Sequence, residues 1–262
     1  MDRETRPLAE MDDEQIRKIR MVVFDIDGVI IPKGTDLHEN MDGTEFSMKT
    51  HKLSPKFVDD VVELKKHVRV AFSSGRNLLY LRSLVNHFFD NRIILQTENG
   101  AISFLDGKIT HPDYPQEYFE AIHKIKVLVN KNSKEITLRG FEPKMFNLTV
   151  HAEVEKDLIY DLVRQSDPTG LVYCIWTGEA FDLGLKGITK GWRLEQTAKQ
   201  LGMKRDEIVT TGNALNDKEM LEFGVGVTVE PGVVWGAYKT SGKGLGGEEL
   251  ADFLVKRFKE LR

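Results

Sequence analysis

The chain has 262 residues, 40% hydrophobic and 30% charged, a balance that supports a substantial core in one large domain or two smaller ones. A net charge of -4 gives no basic footprint for nucleic acid, and no apolar run reaches the length of a membrane span. The single cysteine, Cys174, has no intrachain disulfide partner and is expected to be a lone buried thiol, so a soluble cytoplasmic protein is the expectation.

Residues 1–20 are charged throughout, lack the apolar core of a signal peptide, and read as a loose helix or arm without chemistry of its own. The stretch 22–26, VVFDI, is short, apolar and rich in β-formers, the signature of a strand buried on both faces of a parallel sheet. The polar segment between Pro32 and Ser54 holds an Asp42-Gly43 turn signal and is read as a hairpin flap or an oligomer contact. Ser54-Pro55 then has the form of a helix N-cap followed by its first residue, and Phe57, Val58, Val61, Val62 and Leu64 give one apolar face. Residues 68–74 form a second strand, Gly75-Arg76 opens a helix through Leu78, Leu81 and Leu84, and 92–97 form a third strand. This alternation predicts a parallel sheet covered by helices on both faces.

The pattern breaks after a hairpin over 98–108. A helix over about 115–129 leads to two strand-like runs, 134–140 and 145–153. In the second run Phe146, Leu148 and Val150 alternate with Asn147, Thr149 and His151, a half-buried antiparallel signature whose polar face is either solvated or turned to substrate. A helix over about 154–164 and two more strands, 171–178 and 180–185, complete an α+β insert. From Lys190 the strand–helix alternation resumes through the strand 207–212 to a terminal helix from about Glu248. The predicted fold is therefore α/β, a Rossmann-like parallel-sheet core formed by 1–112 and 186–262, interrupted by a cap domain at 113–185. The glycine-rich 242–247 lacks phosphate-loop spacing and leads into Glu248-Glu249, so it is read as a flexible turn.

Polar residues gather where three of these strands end. Asp25 and Asp27 follow the first, Ser73-Ser74-Gly75-Arg76 the second, and Asn213, Asn216 and Asp217 the strand 207–212; Lys190 opens the helix before that strand. Ligands in open parallel sheets bind beyond these carboxyl ends. Carboxylates crowded there need a cation between them, and Mg²⁺ suits a few carboxylate oxygens with waters and a phosphate oxygen. The Ser74 hydroxyl, the Lys190 ammonium and the backbone N–H groups of 26–28 are suited to phosphate oxygens. An aspartate beside a metal can attack phosphorus, while a second carboxyl group moves the protons.

This constellation resembles the haloacid dehalogenase superfamily. Its four motifs appear in family order as Asp25-Ile26-Asp27-Gly28-Val29, Ser74-Gly75-Arg76, Lys190-Gly191 and Gly212-Asn213-Ala214-Leu215-Asn216-Asp217. The insert and Glu98-Asn99-Gly100-Ala101 look like the branch of that family that acts on sugar phosphates and related acids such as phosphoglycolate. The resemblance implies a phosphatase of a small phosphorylated metabolite working through a phosphoaspartate, with Asp25 as nucleophile and Asp27 as general acid/base. It implies phosphate binding by Ser74, Gly75, Lys190 and Asn216. It implies Mg²⁺ at Asp25, Asp27 (through its main-chain carbonyl), Asn213 and Asp217, under a cap that closes over the substrate. A phosphomutase and a weakly active phospho-ligand binder remain open. Asn213 stands where the family usually has aspartate, which predicts weaker metal binding.

Overall fold

The computed structural model describes residues 4–40, 44–178 and 180–261. In chain order the strands are β1 (Arg6–Pro7), β2 (Met21–Phe24), β3 (Asp36–Glu39), β4 (Phe46–Lys49), β5 (Arg69–Ser73), β6 (Ile93–Thr97), β7 (Ile102–Leu105), β8 (Lys108–Thr110), β9 (Leu138–Glu142), β10 (Leu148–Ala152), β11 (Val172–Trp176), β12 (Ala180–Leu185), β13 (Ile208–Gly212), β14 (Val225–Thr228) and β15 (Tyr238–Lys239). The helices are α1 (Asp13–Lys18), α2 (Pro55–His67), α3 (Leu78–Leu84), α4 (Gln116–Lys131), α5 (Ser133–Ile136), α6 (Asp157–Ser166), α7 (Lys190–Leu201), α8 (Lys218–Phe223) and α9 (Gly246–Leu261). The chain divides into two compact units, one of Met1–Gly34, His51–His111 and Thr189–Arg262, the other of Thr35–Thr50 and Pro112–Ile188.

The first unit is built on a nine-stranded sheet in the order β1-β15-β14-β13-β2-β5-β6-β7-β8. β2 lies between β13 and β5, and both pairings are parallel, with Phe24 level with Thr211 on one side and Phe72 on the other. Side chains alternate across a strand, so each face of β2 needs its own cover. Met21 and Val23 face a cluster with Ala71, Ile94, Ile208, and Leu194 and Ala198 of α7. On the other face Phe24 meets Phe57 edge-on at 5.4 Å and stacks with Phe72 at 5.9 Å. Burying one such aromatic ring contributes roughly 1.5–3 kcal/mol. β2 is thus covered on both sides, as an apolar run of this kind requires.

Local signals place the helices. Ser54 caps α2 by accepting from the Phe57 N–H at 3.1 Å, with Pro55 as the first helical residue. Phe57, Val61 and Leu64 are the buried face of α2, whereas Val62, expected on that face, is exposed. The N-terminal segment is not a loose arm. Asp12 caps α1 by accepting from the Gln15 N–H at 2.8 Å, and Leu8, Met11, Ile16 and Ile19 are buried. Arg257 of α9 pairs with Asp13. The apolar residues there are sparse among charges, so their shared burial is a tertiary effect that composition hides. Residues 242–244 form bends, and α9 begins already at Gly246.

The second unit holds a six-stranded sheet in the order β11-β12-β10-β9-β3-β4. Its core joins Tyr118, Ile125 and Val129 of α4, Ile159 and Leu162 of α6, and Leu148, Val150, Phe181 and Leu183 of the sheet. Residues 134–140, read from sequence as one strand, split in two. Ser133–Ile136 is a short helix, Thr137 turns back with φ 54°, and the strand starts at Leu138. The Ile136 N–H reaches the Asn132 carbonyl at 3.0 Å and its side chain is buried, so helical closure wins over the β-formers. The hairpin β3–β4 pairs with β9 at Glu39 and Phe141 and so lies in this unit, outside the expected span 113–185. The Asp42-Gly43 turn signal lies outside the described residues.

Cys174 on β11 is half-buried, rather than fully buried, and its thiol is pushed up to about 12, by burial first and then by the Asp182 and Glu155 carboxylates. At pH 8 the thiolate fraction is then on the order of one in ten thousand. The native protein is expected to react with a disulfide reagent at pH 8 at least about a hundredfold more slowly than the unfolded chain, and faster as pH rises towards the thiol's own titration. Equal rates before and after unfolding in guanidinium would show the thiol to be unperturbed.

Candidate active site

The register of the central strands brings their polar ends together. The Asp25 N–H donates to the Thr211 carbonyl at 3.0 Å, which sets the residue after β2 beside the end of β13. Beyond it the chain turns tightly: the Ile26 carbonyl accepts from Val29, Ile30 and Ile31 at 3.1, 3.0 and 3.2 Å, and the Gly28 N–H donates to Ile31 at 2.7 Å. Ile26, Val29, Ile30 and Ile31 are all buried, so the apolar half of this segment anchors the turn that presents Asp25 and Asp27. Gly28 has φ 79°, and a Cβ there would stand 2.3 Å from Asn213 Nδ2. Glycine is therefore required twice, for its backbone and for the close approach.

At the centre of the site is Lys190, the first residue of α7. Thr189 caps that helix by accepting from the Trp192 N–H at 3.1 Å. The Lys190 ammonium donates to Asp25 Oδ1 at 2.6 Å and to Asp217 Oδ1 at 2.7 Å, and its side chain is 1% exposed. Burial and the neighbouring Asp217 carboxylate push Asp25 up to about 7, against the pull of Lys190. Burial alone would lower Lys190, but the two carboxylates outweigh it and hold the ammonium above its ordinary range. The cation is thus fixed in its charged form by the pair it bridges.

Asp217 is held from both sides. Its Oδ2 accepts from the Asn213 and Ala214 N–H groups at 2.9 and 3.1 Å, while Oδ1 takes Lys190. Asp217, expected from sequence among the metal ligands, accepts N–H donors on both oxygens, Lys190 on one and the two backbone groups on the other. Asn213 reaches the main-chain carbonyl of Asp27, its Nδ2 donating at 3.2 Å. Ser74 is buried, with its Oγ accepting from the Arg76 N–H at 3.1 Å, and Gly75 lies against the Asn99 side chain. Asn216 donates from Nδ2 to Asn99 Oδ1 at 3.2 Å. All eight residues singled out from sequence lie in the first unit, on the strand ends and turns of one sheet edge.

Two contributions were not assigned from sequence. Arg76 donates from Nε to Asp27 Oδ2 at 3.2 Å, while Asp27 Oδ1 is buried without a hydrogen-bond partner among the described residues. One carboxylate oxygen is held and the other is open to a proton. The signal was the arginine next to Ser74-Gly75, which sequence reasoning used as a motif mark only. The other is Asn99, whose contacts follow from a backbone conformation that a short sequence motif does not disclose.

The oxygen donors fit Mg²⁺. The Asp25 carboxylate and the Asp27 main-chain carbonyl offer oxygens of the kind Mg²⁺ takes, while at Asn213 it is Nδ2 that meets the Asp27 carbonyl, a close approach that the absence of a Cβ at Gly28 allows. Among the described residues no three or more His, Cys, Asp or Glu side chains form a metal cage. A set built from one carboxylate, one carbonyl and one amide is not expected to, and hard oxygen donors of this kind suit Mg²⁺ completed by waters and phosphate.

In the second unit, the sheet face opposite the α4–α6 core carries a polar cluster. Thr149 is level with Glu142 on β9 and Asp182 on β12, and its Oγ1 donates to Asp182 Oδ1 at 2.5 Å. Lys144 Nζ lies 3.4 Å from Asp182 Oδ1 and 3.9 Å from Glu142 Oε1, and His151 Nε2 lies 3.8 Å from Glu142 Oε2. The sequence left this face open between solvated and functional; its Glu142, Asn147, Thr149 and His151 are buried.

A family described as haloacid dehalogenase-like hydrolase matches residues 117–233, a little under half of the chain. A phosphoglycolate phosphatase of Methanoculleus marisnigri is 25% identical over 166 residues, 62% of this chain and 69% of that one. Among solved structures, a trehalose-6-phosphate phosphatase related protein superposes with TM-score 0.67 at 12% identity, over 92% of this chain and all (100%) of the other. A haloacid dehalogenase subclass IIB sugar phosphatase superposes with TM-score 0.61 at 18% identity, over 90% of this chain and 99% of the other. These likenesses establish the fold.

Removing one partner of a buried ion pair leaves the other charge unpaired, which costs about 3–5 kcal/mol. Lys190→Met, measured by denaturant unfolding in chelator at neutral pH, is expected to lose stability of that order, about 3–5 kcal/mol. A loss below about 1 kcal/mol would show that Asp25 and Asp217 do not depend on the ammonium.

Proposed function

We infer from the fold, the family match and the relatives that the chain is a phosphatase of the haloacid dehalogenase type, and we propose that it hydrolyses a small phosphorylated metabolite, a sugar phosphate or a phosphoglycolate-like acid, through a phosphoaspartate on Asp25. The observation that carries the reading is Lys190 bridging Asp25 and Asp217, with the open oxygen of Asp27 close by in the chain.

In this reading an Asp25 oxygen forms the new bond to phosphorus as the ester P–O bond breaks. Lys190 holds Asp25 Oδ1 in place and, with Ser74 and the backbone N–H groups after β2, balances charge on the phosphoryl oxygens. Asp27 gives its proton to the departing alkoxide. It then takes a proton from the water that attacks phosphorus, and inorganic phosphate leaves with Asp25 restored. Arg76 holds Asp27 Oδ2, so the free Oδ1 is the oxygen that exchanges the proton. Mg²⁺, when bound by Asp25, the Asp27 carbonyl and Asn213, supplies Lewis-acid stabilisation of the transferring group.

Mg²⁺-dependent phosphate release from an aryl phosphate is expected in the native protein and a loss of at least about a thousandfold in Asp25→Asn. Undiminished release from that variant would remove Asp25 from the reaction. Asn213→Asp adds a charged ligand and is expected to lower the half-saturating Mg²⁺ concentration by about tenfold. A requirement that stays level or rises would show that residue 213 does not face the ion.

A further inference from the structure

The turn after β6 has a backbone that ordinary residues avoid. Glu98, Asn99 and Gly100 have φ of 51°, 55° and 99° in succession. Side chains other than glycine are disfavoured in that region, and such strain persists only where the surroundings over-determine it. Glu98 and Asn99 are both buried, so solvent gives no relief.

The surroundings are the motif residues themselves. The Glu98 N–H donates to the Arg76 carbonyl at 2.9 Å and the Asn99 N–H to the Ser74 carbonyl at 3.1 Å. The Asn99 side chain lies against Gly75, where a Cβ would come within 3.1 Å of Oδ1, and that Oδ1 accepts from Asn216 at 3.2 Å. The Gly100 carbonyl accepts from Arg193 Nε at 2.7 Å, on the helix that Lys190 opens, and a Cβ on Gly100 would stand 2.4 Å from the Thr189 carbonyl. One turn therefore touches the Ser74 loop, the Lys190 helix and the Asn216 turn, three segments far apart in sequence.

We propose that Asn99 is a positioning residue for phosphate: its left-handed backbone holds the Ser74–Arg76 loop and its carboxamide orients Asn216, so that both segments present donors to one phosphoryl group. The proposal rests on the phosphatase reading. Asn99 acts through these neighbours, and nothing in it requires that Asn99 touch the substrate.

Asn99→Gly separates the two roles. Glycine keeps the left-handed backbone without strain, so the fold survives, but the carboxamide is gone. Inorganic phosphate, titrated calorimetrically in Mg²⁺ buffer and measured as a competitive inhibitor of aryl-phosphate hydrolysis, is the probe. Asn99→Gly is expected to weaken phosphate binding and raise KM by about tenfold while kcat changes by less than about threefold and Tm by no more than about 3 °C. In an Asn216→Ala background the same change is expected to add less than about twofold, because the group it orients is absent. Phosphate affinity unchanged in the single variant, independent losses in the double variant, or no phosphate binding by the native protein would overturn the proposal. Native protein that binds phosphate but releases none from any ester would reject the phosphatase reading instead, and the titrations would still judge Asn99.

Discussion

The first unit is organised around a charge that would be untenable alone. A buried ammonium costs several kcal/mol to desolvate, and a pair of buried carboxylates repel each other. Lys190 set between Asp25 and Asp217 resolves both, provided the three come from elements fixed to a fraction of an ångström. The fixing is done elsewhere. β2 is covered on both faces, Thr189 caps α7, and the two N–H groups of Asn213 and Ala214 hold Asp217. The apolar core thus sets the geometry in which the ionic network becomes favourable, and that network in turn leaves the nucleophile candidate oriented.

The parts of this arrangement that were legible in the sequence are those with a local cause. β2 announces itself by an apolar run, α2 by Ser54-Pro55, and the convergence of Asp25, Ser74 and Asn213 follows from parallel strands ending on one edge. What was illegible has a non-local cause. Ile16 and Ile19 sit among charges and are buried only because α1 packs in the first unit. The β3–β4 hairpin finds its partner at Phe141, about a hundred residues away in sequence. The two backbone N–H groups and the ammonium that Asp217 accepts come from turns and a helix that its motif does not disclose. The left-handed turn at Glu98-Asn99 leaves one cue, the following glycine, which is common to ordinary turns.

The second unit follows a different rule. Its sheet has one apolar face, packed by α4 and α6, and one polar face with Lys144 between Glu142 and Asp182. Alternation along β10 produces both faces from one strand: Leu148 and Val150 serve the core, Thr149 and His151 the cluster. A one-residue slip in register would exchange them, so the pairings with β9 and β12 that secure the core also fix the polar surface. The core and the polar cluster of this unit are therefore not separable by strand, only by face.

The neutral residue at 213 changes the electrostatics of the whole edge. The carboxyl groups of Asp25, Asp27 and Asp217 are met by the two cations Lys190 and Arg76. Under the proposed function, an aspartate at 213 would add a negative charge beside the Asp27 carbonyl, favouring a dication but opposing a phosphate dianion at the same edge. Asparagine keeps an oxygen for the ion and removes that opposition. In that reading the cost would fall on metal affinity and the gain on phosphate, each ligand supplying charge that the other needs. Under the proposed function, an amide in place of a carboxylate at this position would make Mg²⁺ and phosphate each favour the other's binding.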